Sequence, residues 1–159
     1  MEFLSLSWEQ MEKLCENIAN KVKKYEPDIL IGVSRGGLVP VRILSDVLDN
    51  RNVAIIKIEF YKTINETHGF PKVTQPLALD VKGKKVLVVD DVSDTGRSLA
   101  VAKDYLARHG AKEIRFATLH YKPKSIFKPD YFIDTTDKWI VYPWEVRETE
   151  RELKKKKKE

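Results

Sequence analysis

Val86 to Val89 is a run of four aliphatic residues, three of them β-branched, closed at once by two carboxylates, Asp90 and Asp91. A continuous apolar run of this length, as opposed to an alternating one, is the pattern of a strand buried on both faces. It confines the chain to folds in which a mostly parallel sheet is covered on each side by helices. Beyond the carboxylates stands a small polar turn, Ser93-Asp94-Thr95-Gly96, and from Arg97 a segment with helical spacing that ends at a Gly110 C-cap. Strand, acidic pair, hydroxyl-and-glycine turn and helix, in that order, suit a phosphorylated sugar. Free N–H groups at the helix start hold a phosphate. The carboxylates accept hydrogen bonds from vicinal ribose hydroxyls or help hold a magnesium ion.

The rest of the chain supplies the partners such a strand needs. Ser7-Trp8-Glu9-Gln10 reads as a capping box, after which Met11, Leu14, Cys15, Ile18 and Val22 keep helical spacing until Pro27 closes the segment. Ile29–Ser34 is a second buried strand, followed by Arg35-Gly36-Gly37 and a helix over about Leu38–Leu48 with Pro40 in its first turn. Val53–Tyr61 and Ile114–His120 make further strands, with short ones at Asp130–Asp134 and Trp139–Val141. The polar stretch Lys62–Gln75, which contains Gly69 and Pro71, reads as a long loop of the kind used as a lid. Strands alternating with helices in a chain of 159 residues predict one α/β domain, residues 1–153, with a mostly parallel central sheet flanked by helices.

Charge and cysteine content narrow the function classes. The formal net charge is +5, but the tail 154–159 holds five lysines and one glutamate, +4 in all, which leaves +1 for residues 1–153. The tail reads as a disordered, solvated basic end, and the near-neutral body argues against a nucleic-acid binder. No apolar run reaches the ~18 residues of a membrane span, and the N-terminus lacks a signal-peptide pattern. Cys15 is the only cysteine and lies on the apolar stripe of the first helix, where a structural thiol is expected. The expected location is the cytoplasm. His68, His109 and His120 are scattered, and the chain has no P-loop and no C-x-x-C. Abundant Lys and Glu beside only two Gln fit a thermophilic source.

The run Val86–Leu99 resembles the 5-phosphoribosyl diphosphate (PRPP) signature of the type I phosphoribosyltransferases. Within that family it is most similar to the 6-oxopurine enzymes of the xanthine-guanine type. Three further segments fit in the same order: Gly32-Val33-Ser34-Arg35-Gly36-Gly37-Leu38-Val39-Pro40, Tyr121-Lys122-Pro123, and Asp137-Lys138-Trp139-Ile140-Val141-Tyr142-Pro143-Trp144-Glu145. On the residues alone, glycines after a buried strand let amides point at an anion, and Arg35 adds a forked cation for phosphate oxygens.

The resemblance implies the family's α/β fold, with a small hood from the chain ends over the base site. It implies that Ser34, Arg35, Gly36 and Gly37 grip pyrophosphate, with a non-proline cis peptide at Ser34–Arg35. It assigns Asp90, Asp91, Ser93, Thr95, Gly96, Arg97 and Ser98 to the ribose phosphate, and Asp91 to a magnesium ion (Mg2+). Lys122 would donate to the 6-oxo group of a purine, Trp139 would lie against its flat face, and main-chain groups of Trp139 and Ile140 would read its C2 edge. Asp94 would face N7 as the catalytic residue and handle its proton. The implied substrates are PRPP and guanine, xanthine or hypoxanthine, and the implied assembly is a homodimer or homotetramer. The lid region departs from relatives beyond Tyr61, which leaves Tyr61 and Lys62 as candidate pyrophosphate contacts. The competing reading is a non-catalytic regulator that senses PRPP or a nucleotide with the same fold. Asp94, Lys122 and Trp139 favour the enzyme.

Overall fold

Residues 1–61 and 69–157 are described by the computed structural model. In chain order the elements are β1 (Phe3–Ser5), α1 (Trp8–Val22), a 3-10 turn (Lys23–Tyr25), β2 (Ile29–Ser34), α2 (Leu38–Val47), β3 (Val53–Tyr61), β4 (Phe70–Gln75), β5 (Lys85–Ser93), α3 (Arg97–Arg108), β6 (Glu113–Tyr121), β7 (Asp134–Thr135), β8 (Trp139–Val141) and α4 (Val146–Lys156). The main sheet runs β4-β3-β2-β5-β6-β7, parallel throughout except for the β3–β4 pair.

β5 lies between β2 and β6, in register from Ile29↔Val86 to Gly32↔Val89 on one side and from Lys85↔Glu113 to Ser93↔Tyr121 on the other. Its alternate side chains enter two cores. Leu87 and Val89 pack with Leu30, Ala117, Leu119 and the apolar faces of α1 and α2. Val86 and Val88 pack with Ile31, Phe116 and the Leu99, Ala102 and Leu106 face of α3. Burial on both faces is what the uninterrupted apolar run requires. The capping box at the start of α1 is formed in both directions, Gln10 N–H to Ser7 Oγ at 3.1 Å and Ser7 N–H to Gln10 Oε1 at 2.8 Å. Cys15 is fully buried on α1, and desolvation pushes its thiol up to about 12, as befits a structural residue.

Four expectations are corrected. Phe70–Gln75 is an edge strand, β4, antiparallel to β3 from Tyr61↔Phe70 to Lys57↔Gln75. An edge strand pairs on one side only and so tolerates Pro71 and polar residues, which is why the segment reads as loop. The remainder of the expected lid, Lys62 to His68, lies outside the described residues. Secondly, β5 does not end at Val89 but continues through Ser93, so Asp90 and Asp91 sit inside the sheet, with Asp90 opposite Thr118. Thirdly, the strand expected at Asp130–Asp134 shrinks to Asp134–Thr135 with one bridge at Tyr131, because the Asp130 carboxylate accepts the Phe116 N–H at 2.8 Å in place of a ladder bond. Fourthly, Lys154–Lys156 are not a disordered end: they form the last turn of α4, where lysines favourably face the helix dipole.

β1 and β8 form a small parallel sheet, Phe3↔Trp139 to Ser5↔Val141, which is the hood made from the two chain ends. Among the described residues no helix is long and apolar enough to cross a membrane.

Candidate active site

The C-terminal ends of β2, β5 and β6 open onto a trough made of two adjoining clefts of 790 and 550 Å³, which share Asp90, Val92, Asp94 and Ser98. Crevices beyond the carboxyl ends of parallel strands are where open α/β sheets bind ligands.

At one end of the trough the β5–α3 turn lays Asp94, Thr95, Gly96, Arg97 and Ser98 along the wall. Gly96 caps α3 at φ 80, and a Cβ there would stand 2.6 Å from Phe127 N, so no other residue fits without displacing the following loop. Thr95 Oγ1 accepts the Arg97 N–H at 3.3 Å. The Arg97 guanidinium donates to Gly69 O at 2.5 Å and stands 5.2 Å over the Phe60 ring. Ser93 lines this cleft too, but its hydroxyl donates to Phe127 O at 2.7 Å and lies 2.8 Å from Ser125 Oγ. It braces the cleft floor through the β6–β7 connection.

The acidic pair occupies the middle. Burial, joined at Asp90 by the neighbouring charge of Asp91, holds the pair above the ordinary carboxylate range. Val92 N–H donates to Asp91 Oδ1 at 2.7 Å and opposes the rise. Trp144 Nε1, buried without a well-formed hydrogen bond, acts on Asp91 in the same direction. Among the described residues no lysine or arginine forms an ion pair with either carboxylate. Two adjacent acids that open onto the trough, with no counter-cation among the described residues, are a donor set suited to magnesium, which takes one or two carboxylates together with substrate oxygens and water.

The β2–α2 loop closes over this pair. Ser34–Arg35 is a cis peptide. A Cβ on Gly36 would come within 2.5 Å of the Asp91 carboxyl, so this glycine lets the loop lie directly on the acid. Ser34, Arg35 and Gly36 line the trough. Gly37 does not: its N–H donates to Val33 O at 2.8 Å, and its α-carbon packs against Val89 O, which makes it a packing glycine. The Arg35 side chain pairs with Glu148 of α4 at 2.6 Å.

At the far end Lys122 is 8% exposed, with Nζ 3.9 Å from Asp94 Oδ1. Lys124 reaches the same oxygen at 3.0 Å. Trp139 and Ile140 line the second cleft on the hood, and the Lys156 ammonium lies 5.7 Å from the Trp139 ring centre. The site residues assigned from the resemblance, all but Gly37, thus line the trough; of the two candidate pyrophosphate contacts, Tyr61 lines neither cleft and Lys62 lies outside the described residues. The sequence reading missed Lys124, and it missed α4, whose Glu148 and Glu152 line the trough with Glu145. The i, i+3, i+7 spacing of those three glutamates was the available signal.

Residues 6–151 match the phosphoribosyl transferase domain, and the chain belongs to that family. A xanthine-guanine phosphoribosyltransferase of Cereibacter sphaeroides is 31% identical over 149 residues, 89% of this chain and 86% of that protein. A hypoxanthine-guanine phosphoribosyltransferase of Saccharomyces cerevisiae is 29% identical over 187 aligned positions, covering 88% of this chain and 84% of its own. Among solved structures, a purine phosphoribosyltransferase from Pyrococcus horikoshii superposes with a TM-score of 0.85 at 42% identity, over 91% of this chain and 95% of that one.

Proposed function

We propose that this protein transfers the 5-phosphoribosyl group of PRPP to N9 of a 6-oxopurine, guanine, xanthine or hypoxanthine, and releases pyrophosphate. The observation that carries the reading is the convergence in one trough of three features. The start of α3 suits the 5′-phosphate, the Ser34–Gly36 loop sits over the acidic pair, and Lys122 and Asp94 share an edge beside Trp139.

Thr95, Gly96 and Ser98 hold the 5′-phosphate with main-chain and hydroxyl donors. Asp90 and Asp91 accept from the ribose hydroxyls and would hold magnesium, which when bound neutralises charge on the departing pyrophosphate. Arg35 and the amides beside it take the pyrophosphate. Lys122 donates to the 6-oxo group, and Trp139 lies along the ring. The N9 lone pair attacks C1′ as the C1′–O bond breaks, its electron pair leaves with pyrophosphate, and the N7 proton passes to Asp94. No covalent intermediate is formed on the protein, so catalysis rests on positioning and electrostatics.

A turnover assay with PRPP and magnesium, with guanine, xanthine, hypoxanthine, adenine, orotate and uracil offered in parallel, tests the reading. Nucleotide formed from 6-oxopurines alone is the expected result. PRPP binding with no turnover of any base would replace the enzyme by the sensor.

A further inference from the structure

Behind the acidic pair lies a buried polar relay outside the ligand contacts described above. Tyr142 is 1% exposed and His120 is 2% exposed. The Tyr142 hydroxyl donates to the main-chain oxygen of Asp91 at 3.1 Å and lies 2.8 Å from His120 Nδ1. A hydroxyl has one proton, and it is spent on Asp91 O. Nδ1 of His120 therefore carries the proton of the second bond and donates it to Tyr142. The Tyr142 ring stacks face to face on Trp144, with centroids 4.9 Å apart and planes inclined by 3°. The His120 main chain is itself held, its oxygen accepting from Thr118 Oγ1 at 2.8 Å.

We infer that Tyr142, oriented by His120, is a positioning residue that fixes Asp91 from behind and links the base-binding strand to the pyrophosphate loop. The link is continuous. Trp139 and Ile140 stand on β8, Tyr142 follows one residue after that strand, its hydroxyl holds Asp91, and the Asp91 carboxyl lies against Gly36. The β5–β6 offset is unbroken from Lys85↔Glu113 to Ser93↔Tyr121, whereas the β2–β5 pairing ends at Gly32↔Val89, so Asp91 lies past the last β2 partner. Its carbonyl takes the Tyr142 hydroxyl as a donor from outside the sheet. The inference rests on the proposed use of Asp91 toward PRPP.

The test is PRPP–magnesium affinity by titration calorimetry in the absence of base, on Tyr142→Phe, His120→Leu and His120→Asn. Loss of the single bond to Asp91 O is expected to weaken PRPP binding roughly tenfold in Tyr142→Phe, the size of one net hydrogen bond. His120→Leu follows it, and His120→Asn, whose amide places an N–H near the Nδ1 position, returns to within about threefold of the wild type. A purely structural role would lower the unfolding midpoint of all three and leave the affinity of the folded protein unchanged. Unchanged affinity in folded Tyr142→Phe or His120→Leu, or an Asn variant as weak as Leu, overturns the inference. If Tyr142→Phe does not fold, the His120 pair decides. A wild-type protein that binds PRPP without turnover overturns the enzymatic reading alone, and one that binds no PRPP overturns both.

Discussion

Replacing Asp91 by asparagine removes a charge from the place in the fold least able to bear one. Asp91 is 8% exposed, next to Asp90, and desolvation raises its carboxyl from 3.8 to about 6. Between those two values the folded chain binds more protons than the unfolded chain, so stability falls as pH rises through the window and stays lowered above it. A displacement of that size corresponds to about 3 kcal/mol of destabilisation at neutral pH. Asparagine is isosteric and keeps an oxygen to accept the Val92 N–H, now made at 2.7 Å. Its removal of charge also relieves Asp90, which Asp91 pushes up.

Guanidinium unfolding of the ligand-free protein at 25 °C should therefore show Asp91→Asn more stable than wild type at pH 7.5 by up to about 3 kcal/mol. The gain should shrink toward zero below about pH 3, where the wild-type carboxyl is protonated in both states. The same variant should lose PRPP–magnesium affinity, since the pair would supply the metal with one charge fewer. A variant less stable than wild type at pH 7.5, or a gain that does not change with pH, would refute the reasoning that the pair is an electrostatic burden in the folded protein.

Asp94→Asn should lower kcat by about 10²–10⁴ with an unchanged circular dichroism spectrum, because it removes the proposed acceptor of the N7 proton together with the charge that faces Lys122 and Lys124. Turnover close to wild type would take Asp94 out of that role. Glu148→Gln frees Arg35 from its partner at 2.6 Å, and product inhibition assays should find pyrophosphate bound about two- to fivefold tighter, consistent with one exposed ion pair worth under 1 kcal/mol. Gly96→Ala places a Cβ 2.6 Å from Phe127 N at φ 80, so calorimetric titration should find PRPP affinity lost together with a clear fall in unfolding midpoint.

What could be seen in the chain beforehand was whatever burial on two faces or a fixed turn chemistry imposes. Val86–Val89 must be apolar on both sides because helices cover both, and the Ser93–Gly96 turn must carry a glycine at φ 80, so strand and turn stand out from their neighbours. β4 carries no such demand. It pairs with one strand, and Lys72, Thr74 and Gln75 are compatible with a loop as much as with an edge. The end of β5 was hidden for a different reason: Asp90 and Asp91 break the apolar pattern while the backbone ladder continues to Ser93↔Tyr121, so the hydrogen-bonded strand outlasts its hydrophobic signature.

α4 shows the limit most clearly. None of its residues is buried, so it lacks the apolar stripe from which a helix is read, and its lysines look like solvent-bound charge. In three dimensions the same helix sets Glu148 against Arg35 of the β2–α2 loop and Lys156 near the face of Trp139. Counted along the chain, +4 of the net charge belongs to residues 154–159. Counted in space, part of that charge stands beside Trp139, on the wall of the second cleft. Charge runs are read as tails because sequence distance stands in for spatial distance, and here the folding of 11 residues into α4 brings the two apart.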